Sequence, residues 1–116
     1  MSYDSRIKSK SGFDASEKVR KICENLPEVK ESIDKFGHTS FRFKDKPIVI
    51  MGEGNDGASI DIKTDLKAQH VLLQQEYFYK SPYIGRYGWV SLKVDDPIDW
   101  QFIENLIKDA YHEILS

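Results

Sequence analysis

The stretch Gly37-His38-Thr39-Ser40-Phe41-Arg42-Phe43-Lys44-Asp45-Lys46-Pro47-Ile48-Val49-Ile50-Met51-Gly52-Glu53-Gly54-Asn55-Asp56-Gly57 decides the fold. Thr39, Phe41 and Phe43 point one way and Ser40, Arg42 and Lys44 the other, the period of two of a half-buried strand. Lys44-Asp45-Lys46 is a tight polar turn into the apolar run Pro47 to Met51. Residues 52–57 form a second turn, rich in types that tolerate positive φ. Ala58 to Lys63 then reads as the next strand, with Ile60 and Ile62 on one face. Upstream, Val29, Glu31 and Ile33 alternate with Lys30, Ser32 and Asp34, and Gly37 turns the chain. Short turns between successive strands imply an antiparallel meander.

Helical spacing frames this meander. Met1 to Gly12 is polar and reads as a flexible tail ahead of one domain over residues 13–116. Asp14, with Glu17 three residues on, fits a capping box. Val19, Ile22, Cys23 and Leu26 follow as one apolar stripe, and Pro27 ends the helix. Thr64 or Asp65 caps a second helix carrying Leu66, Val71, Leu72 and Leu73. Trp89 to Val94 is a last strand. Asp99 caps a final helix with the stripe Ile103, Leu106, Ile107, Ala110, Tyr111 and Ile114, which should bury Tyr111 and Trp100. The order α-β-β-β-β-α-β-α predicts an α+β two-layer sandwich, with about three helices over a four- to five-stranded antiparallel sheet.

A chain of 116 residues with 40% apolar and 31% charged side chains suits a single domain and argues against disorder. Its longest apolar runs are a handful of residues, far short of the ~20 of a membrane span, and the N-terminus lacks a secretory leader. The expectation is a cytoplasmic protein with no membrane partner. Cys23 is the one cysteine, which excludes an internal disulfide, and it reads as a small buried hydrophobe. Residues 94–116 hold one Lys and six Asp/Glu, whereas residues 38–93 hold eight Lys/Arg and six Asp/Glu. A duplex binder usually shows a more basic balance.

Two segments are candidates for chemistry. Ser81-Pro82-Tyr83-Ile84-Gly85-Arg86-Tyr87-Gly88-Trp89 combines two glycines, an arginine and three aromatic rings. Gly85 and Gly88 let backbone amides approach a partner, Arg86 can hold an anion, and Tyr83, Tyr87 and Trp89 can stack on a flat ligand. The same residues also suit a rigid connection whose rings plug the sheet edge. In the second segment His38 opens a strand, and Arg42 shares a face with Ser40 and Lys44. His38 can bind phosphate or cap its turn. The three histidines are far apart, and no nucleotide-binding glycine motif or nucleophile elbow occurs. We therefore expect no catalytic set, no metal and no cofactor.

Leu26-Pro27-Glu28-Val29, Gly37 to Arg42, Pro82 to Val90, Asp99-Trp100 and Ala110-Tyr111 occur in an order that resembles the MmcQ/YjbR-like proteins over residues 14–115. The resemblance implies a double-wing antiparallel arrangement, related to the frataxin-like CyaY fold, in a small bacterial cytoplasmic protein of unknown function. DNA is the partner implied by fold analogy. The matching positions expected to form a common surface are His38, Arg42, Lys63, Tyr83, Gly85, Arg86, Gly88 and Trp89, and no catalytic residues come with the family. Tyr87 stands where a His commonly follows the Arg. Under the DNA reading Arg42, Lys44, Lys46, Lys63, Lys67 and Arg86 meet phosphates. The alternatives are a small anionic ligand gripped by Arg86 with His38, or a protein partner.

Overall fold

A computed structural model describes residues 4–116. The elements are α1 (Lys10–Glu24), β1 (Val29–Ile33), β2 (Thr39–Phe43), β3 (Lys46–Gly54), β4 (Gly57–Lys63), α2 (Leu66–Leu72), β5 (Tyr79–Lys80), a 3-10 turn (Ile84–Tyr87), β6 (Trp89–Lys93) and α3 (Trp100–Leu115). They form an α+β fold with one six-stranded sheet in the order β1-β2-β3-β4-β6-β5, antiparallel throughout. The first four strands are the expected meander. The extra strand is β5, a two-residue pairing of Tyr79 and Lys80 with Ser91 and Val90, too short to leave an alternating pattern.

Turn chemistry sets the registers. Lys44 and Asp45 both have positive φ (47° and 67°), the pair that lets a two-residue hairpin follow the strand twist. β3 runs on through Gly52 and Glu53 to Gly54, which pairs with Gly57, so the second hairpin turns on Asn55 and Asp56 alone. Four residues of the six-residue turn read from the sequence are therefore strand, because its glycines sit in the ladder.

α1 and α3 pack on each other and on the sheet, α1 against β1 and β4 and α3 against β3 and β4. The core lies between the layers: Val19, Phe41, Ile48, Val49, Met51, Ile60, Ile62, Val90, Leu92, Ile103 and Ile107 are almost fully buried. Tyr111 is buried, packs edge-on against Phe43 at 5.4 Å, and donates to the Pro27 carbonyl at 2.8 Å. Asp99 caps α3 as expected, accepting from the Phe102 amide at 3.2 Å. Trp100 is only partly buried, because the first residue of α3 lies at the rim beside α1, with the Lys18 ammonium 5.9 Å from its ring.

Two helix expectations change. α1 begins at Lys10, inside the segment read as a tail, and its N-cap is Ser9 rather than Asp14. The Ser9 hydroxyl accepts from the Gly12 amide at 3.0 Å, while Glu53 Oε1 accepts from the Lys8 and Ser9 amides and the Ser9 hydroxyl at 3.2, 3.1 and 2.8 Å. Asp14 instead receives Lys10 on the exposed face at 2.9 Å. Further back, Ser5 bridges Phe36 and Glu53 through backbone bonds, and Met1 to Tyr3 lie outside the described residues. α2 is capped by Asp65, but Leu66 and Val71 are exposed and Gln69 is buried with Leu72. α2 sits against β6 and the loop before it, so of its apolar stripe Leu72 and Leu73 reach the core while Leu66 and Val71 face outward.

Candidate functional site

Both long helices cover the same face of the sheet. The cross-strand partners Ser32, Ser40, Ile50, Asp61, Ser91 and Tyr79 form one line over the opposite face, spanning all six strands. A second line runs through Gly52, Ser59 and Lys93. This face holds a groove of about 520 Å³, lined among others by His38, Ile50, Ser59, Asp61, Tyr79, Tyr83 and Lys93.

The groove floor is polar and hydrogen-bonded. Ser91, fully buried, donates to Asp61 Oδ1 at 2.6 Å, and its oxygen lies 2.7 Å from the buried Ser81 hydroxyl. Burial pushes the Asp61 carboxyl above the ordinary carboxylate range, outweighing the Ser91 bond and the charges of His38 and Lys93. At one end Asp34 accepts from the Phe36 and His38 amides at 2.9 and 3.0 Å, and lies 3.2 Å from His38 Nδ1. Burial pushes the Asp34 carboxyl upward, but these bonds together hold it below its usual value. Gly52 has no room for a side chain: a Cβ there would lie 2.8 Å from the His38 ring. Glu53, whose carboxylate the Ser9 hydroxyl and amide hold low, ties the same rim to α1.

The residues singled out in the sequence separate into two groups. His38 and Tyr83 meet at the groove; Tyr83 is 95% exposed and has φ +65°, strained for a non-glycine residue. Arg42 is half-buried, donating to Ser40 Oγ at 3.1 Å and to the Asp45 carbonyl at 2.6 Å. Lys44 sits on the hairpin turn, 5.3 Å from the Phe43 ring. Lys63 is committed to the Tyr87 and Thr64 carbonyls at 2.6 and 3.0 Å. Arg86 lies 4.9 Å from the Tyr87 ring and does not line the groove, so the chain does not bring Arg86 and His38 together.

Gly85, Gly88 and Trp89 are buried. A Cβ at Gly88, where φ is +102°, would fall 2.0 Å from the Thr64 carbonyl oxygen, and one at Gly85 would meet Lys80 at 2.5 Å. Gln69 Nε2 locks this loop by donating to the Gly85 and Trp89 carbonyls at 2.6 and 2.9 Å. The glycines thus serve close packing, Gly88 against Thr64 and Gly85 against Lys80.

Asp61, Ser91, Tyr79 and Lys93 escaped the sequence reading. The alternation Ile60-Asp61-Ile62 placed Asp61 off the core face, but whether that face is covered depends on which side both helices choose. A cavity of about 580 Å³ between α2 and α3 is larger, yet its one Lys is the committed Lys63. Among the described residues no group of three His, Cys, Asp or Glu is placed to hold a metal, and no helix is long and apolar enough to cross a membrane. The Cys23 thiol is pushed up to about 12 by burial, which makes it inert.

The model of the YjbR family matches residues 24–113. The crystal structure of Deinococcus radiodurans protein DR2400, a DUF419 domain, is similar with a TM-score of 0.72 and 16% identity, over 83% of this chain and 75% of that one. At that identity the likeness is one of fold. No curated protein matches the chain. Because the family match runs from the end of α1 almost to the end of α3, this chain belongs to the YjbR family.

Proposed function

We propose that this protein is a binding module, not an enzyme, and that it takes a small polar ligand in the groove on the uncovered sheet face. The observation that carries this reading is Asp61. It is a carboxylate set mid-sheet beside a buried serine pair, and burial penalises its charge. A domain gains no stability from such a group, and perturbed carboxylates with satisfied neighbours gather at binding sites. His38 is bonded to Asp34 and Asp61 to Ser91, an arrangement that holds shape and suits recognition.

DNA is the second reading. Its support is the run Arg42, Lys44 and Lys46 at one hairpin. Against it, Lys63 is committed to carbonyls, and the groove holds Asp34, Glu53, Asp56 and Asp61 against Lys93 and His38, a poor surface for phosphates. A protein partner is the third. A thermal-shift screen of polar metabolites on the wild type and on Asp61→Asn tests the proposal, beside a titration of labelled duplex DNA at low salt. A stabilising hit lost in Asp61→Asn is expected, because only the native state binds it. Salt-dependent duplex binding that survives Asp61→Asn and falls in the Arg42→Ala, Arg86→Ala double variant would replace this reading with the DNA one.

A further inference from the structure

The charges around the groove are unequal in their commitments. Asp34 is held by His38 and two amides, and Glu53 by Ser9 and the Lys8 amide. Asp61 is different: Ser91 engages Oδ1, and among the described residues no hydrogen bond reaches Oδ2. No unbonded side-chain oxygen is sealed from solvent among those residues, so Oδ2 opens to the groove that Asp61 lines. Nor does Asp61 have an ion-pair partner within 4.0 Å among the described residues. Lys93, on the next line of the sheet, sits instead 5.7 Å from the Tyr79 ring.

Two aromatic side chains line the same groove as this oxygen, Tyr79 and Tyr83. Aromatic rings offer flat apolar faces on which the body of a ligand can pack. Tyr83 is exposed and held at positive φ, a strained conformation of the kind that gathers at binding sites.

We infer that the ligand of this groove carries a cationic nitrogen, an amine or an amidinium, which donates to Asp61 Oδ2 while its apolar body lies against the rings of Tyr79 and Tyr83. This rests on the groove being the binding site. It also reverses the charge expected from the sequence: the anion-holding pair, Arg86 and His38, is not assembled, whereas the open acceptor is.

Three ligands of one shape and three charges test it: benzamidine, benzamide and benzoate, titrated into the 15N-labelled full chain at neutral pH. Benzamidine is expected to shift the backbone amides of Asp61, Ser91, Tyr79 and Lys93. Asp61→Asn is expected to weaken it by about tenfold or more, the scale of a charge-assisted hydrogen bond, while Asp109→Asn on α3 leaves it unchanged. Benzamide or benzoate binding the same amides as tightly as benzamidine would overturn the cationic class and leave the groove standing. Shifts from all three that fall outside the groove would overturn the groove as well.

Discussion

Ser91 donates its hydroxyl hydrogen to Oδ1 of Asp61 at 2.6 Å across the β4–β6 register. A serine has one hydrogen to give, so the 2.7 Å contact between Ser81 and Ser91 must have Ser81 as donor. The chain Ser81 to Ser91 to Asp61 therefore runs one way and ends on the carboxylate.

Asp61→Asn is expected to raise stability at neutral pH. The folded protein holds the Asp61 proton to higher pH than the unfolded chain does, because burial raises its pKa. The native state then binds more protons than the unfolded state between the ordinary carboxylate pKa and the raised one, so stability falls as pH climbs through that window. The deficit persists above it and vanishes below. Asn keeps the acceptor for Ser91 and removes the charge. Urea denaturation should show Asp61→Asn more stable than the wild type near pH ~7 and matching it near pH ~3, below the usual range of aspartate. An equal difference at both pH values would mean that charge burial is not the cause.

Gly88→Ala is expected to cost about 1–3 kcal/mol from backbone strain alone, and more from the clash with the Thr64 carbonyl, which backbone cannot relieve cheaply. Gly54→Ala is the control. A Cβ at Gly54 meets nothing within 4 Å, so the change should stay within about 0.5 kcal/mol. Similar midpoints for the two variants would show that the loop moves aside.

Glu53→Ala removes the acceptor that three donors from Lys8 and Ser9 share, and so unties the start of α1 from β3. A loss of about 0.5–1.5 kcal/mol is expected, the net scale of an intramolecular hydrogen bond. Amide exchange should quicken in the first turn of α1 ahead of the rest of the helix. The Glu53 pKa is lowered in the fold, so its contribution is present above the ordinary glutamate pKa and is lost as pH falls through the lowered value. Uniform exchange along α1 would mean that Glu53 does not hold its first turn.

The same contact shows why some features were legible from residue order and others were not. Asp14 and Glu17 satisfy a capping pattern within four residues, whereas the cap that forms, Ser9 to the Gly12 amide, is tied down by Glu53, 44 residues beyond Ser9. Local pattern reports only local partners. The meander was legible because two of its three turns are two residues long and carry their own chemistry at Lys44-Asp45 and Asn55-Asp56, and Gly37 marks the third. Phe41, Ile60 and Ile107 were legible as core from spacing. Of the groove, His38 and Tyr83 stood out by type, but Asp61 and Ser91 are ordinary strand residues until the sheet order sets them side by side. Gly85 and Gly88 looked like a ligand cradle because a glycine needed for close packing and one needed for an anion are the same letter.

Ile107→Ala tests the layer contact on which all of this rests. Ile107 is 0% exposed in the middle of α3, facing the sheet. Truncation removes the buried side chain and leaves a cavity that the flanking β3 and β4 backbone cannot fill, for an expected loss of about 2–5 kcal/mol. Glu104, one turn earlier, forms an ion pair with Lys108 at 2.7 Å on the partly exposed side of the helix. Such i,i+4 pairs are worth about 0.3–0.5 kcal/mol, so Glu104→Ala should cost several-fold less. Chemical denaturation of both variants, read at constant slope with denaturant, separates them. Equal losses would mean that α3 is rotated about its axis, and would move the helices' covered face with it, taking the open groove around Asp61 as well.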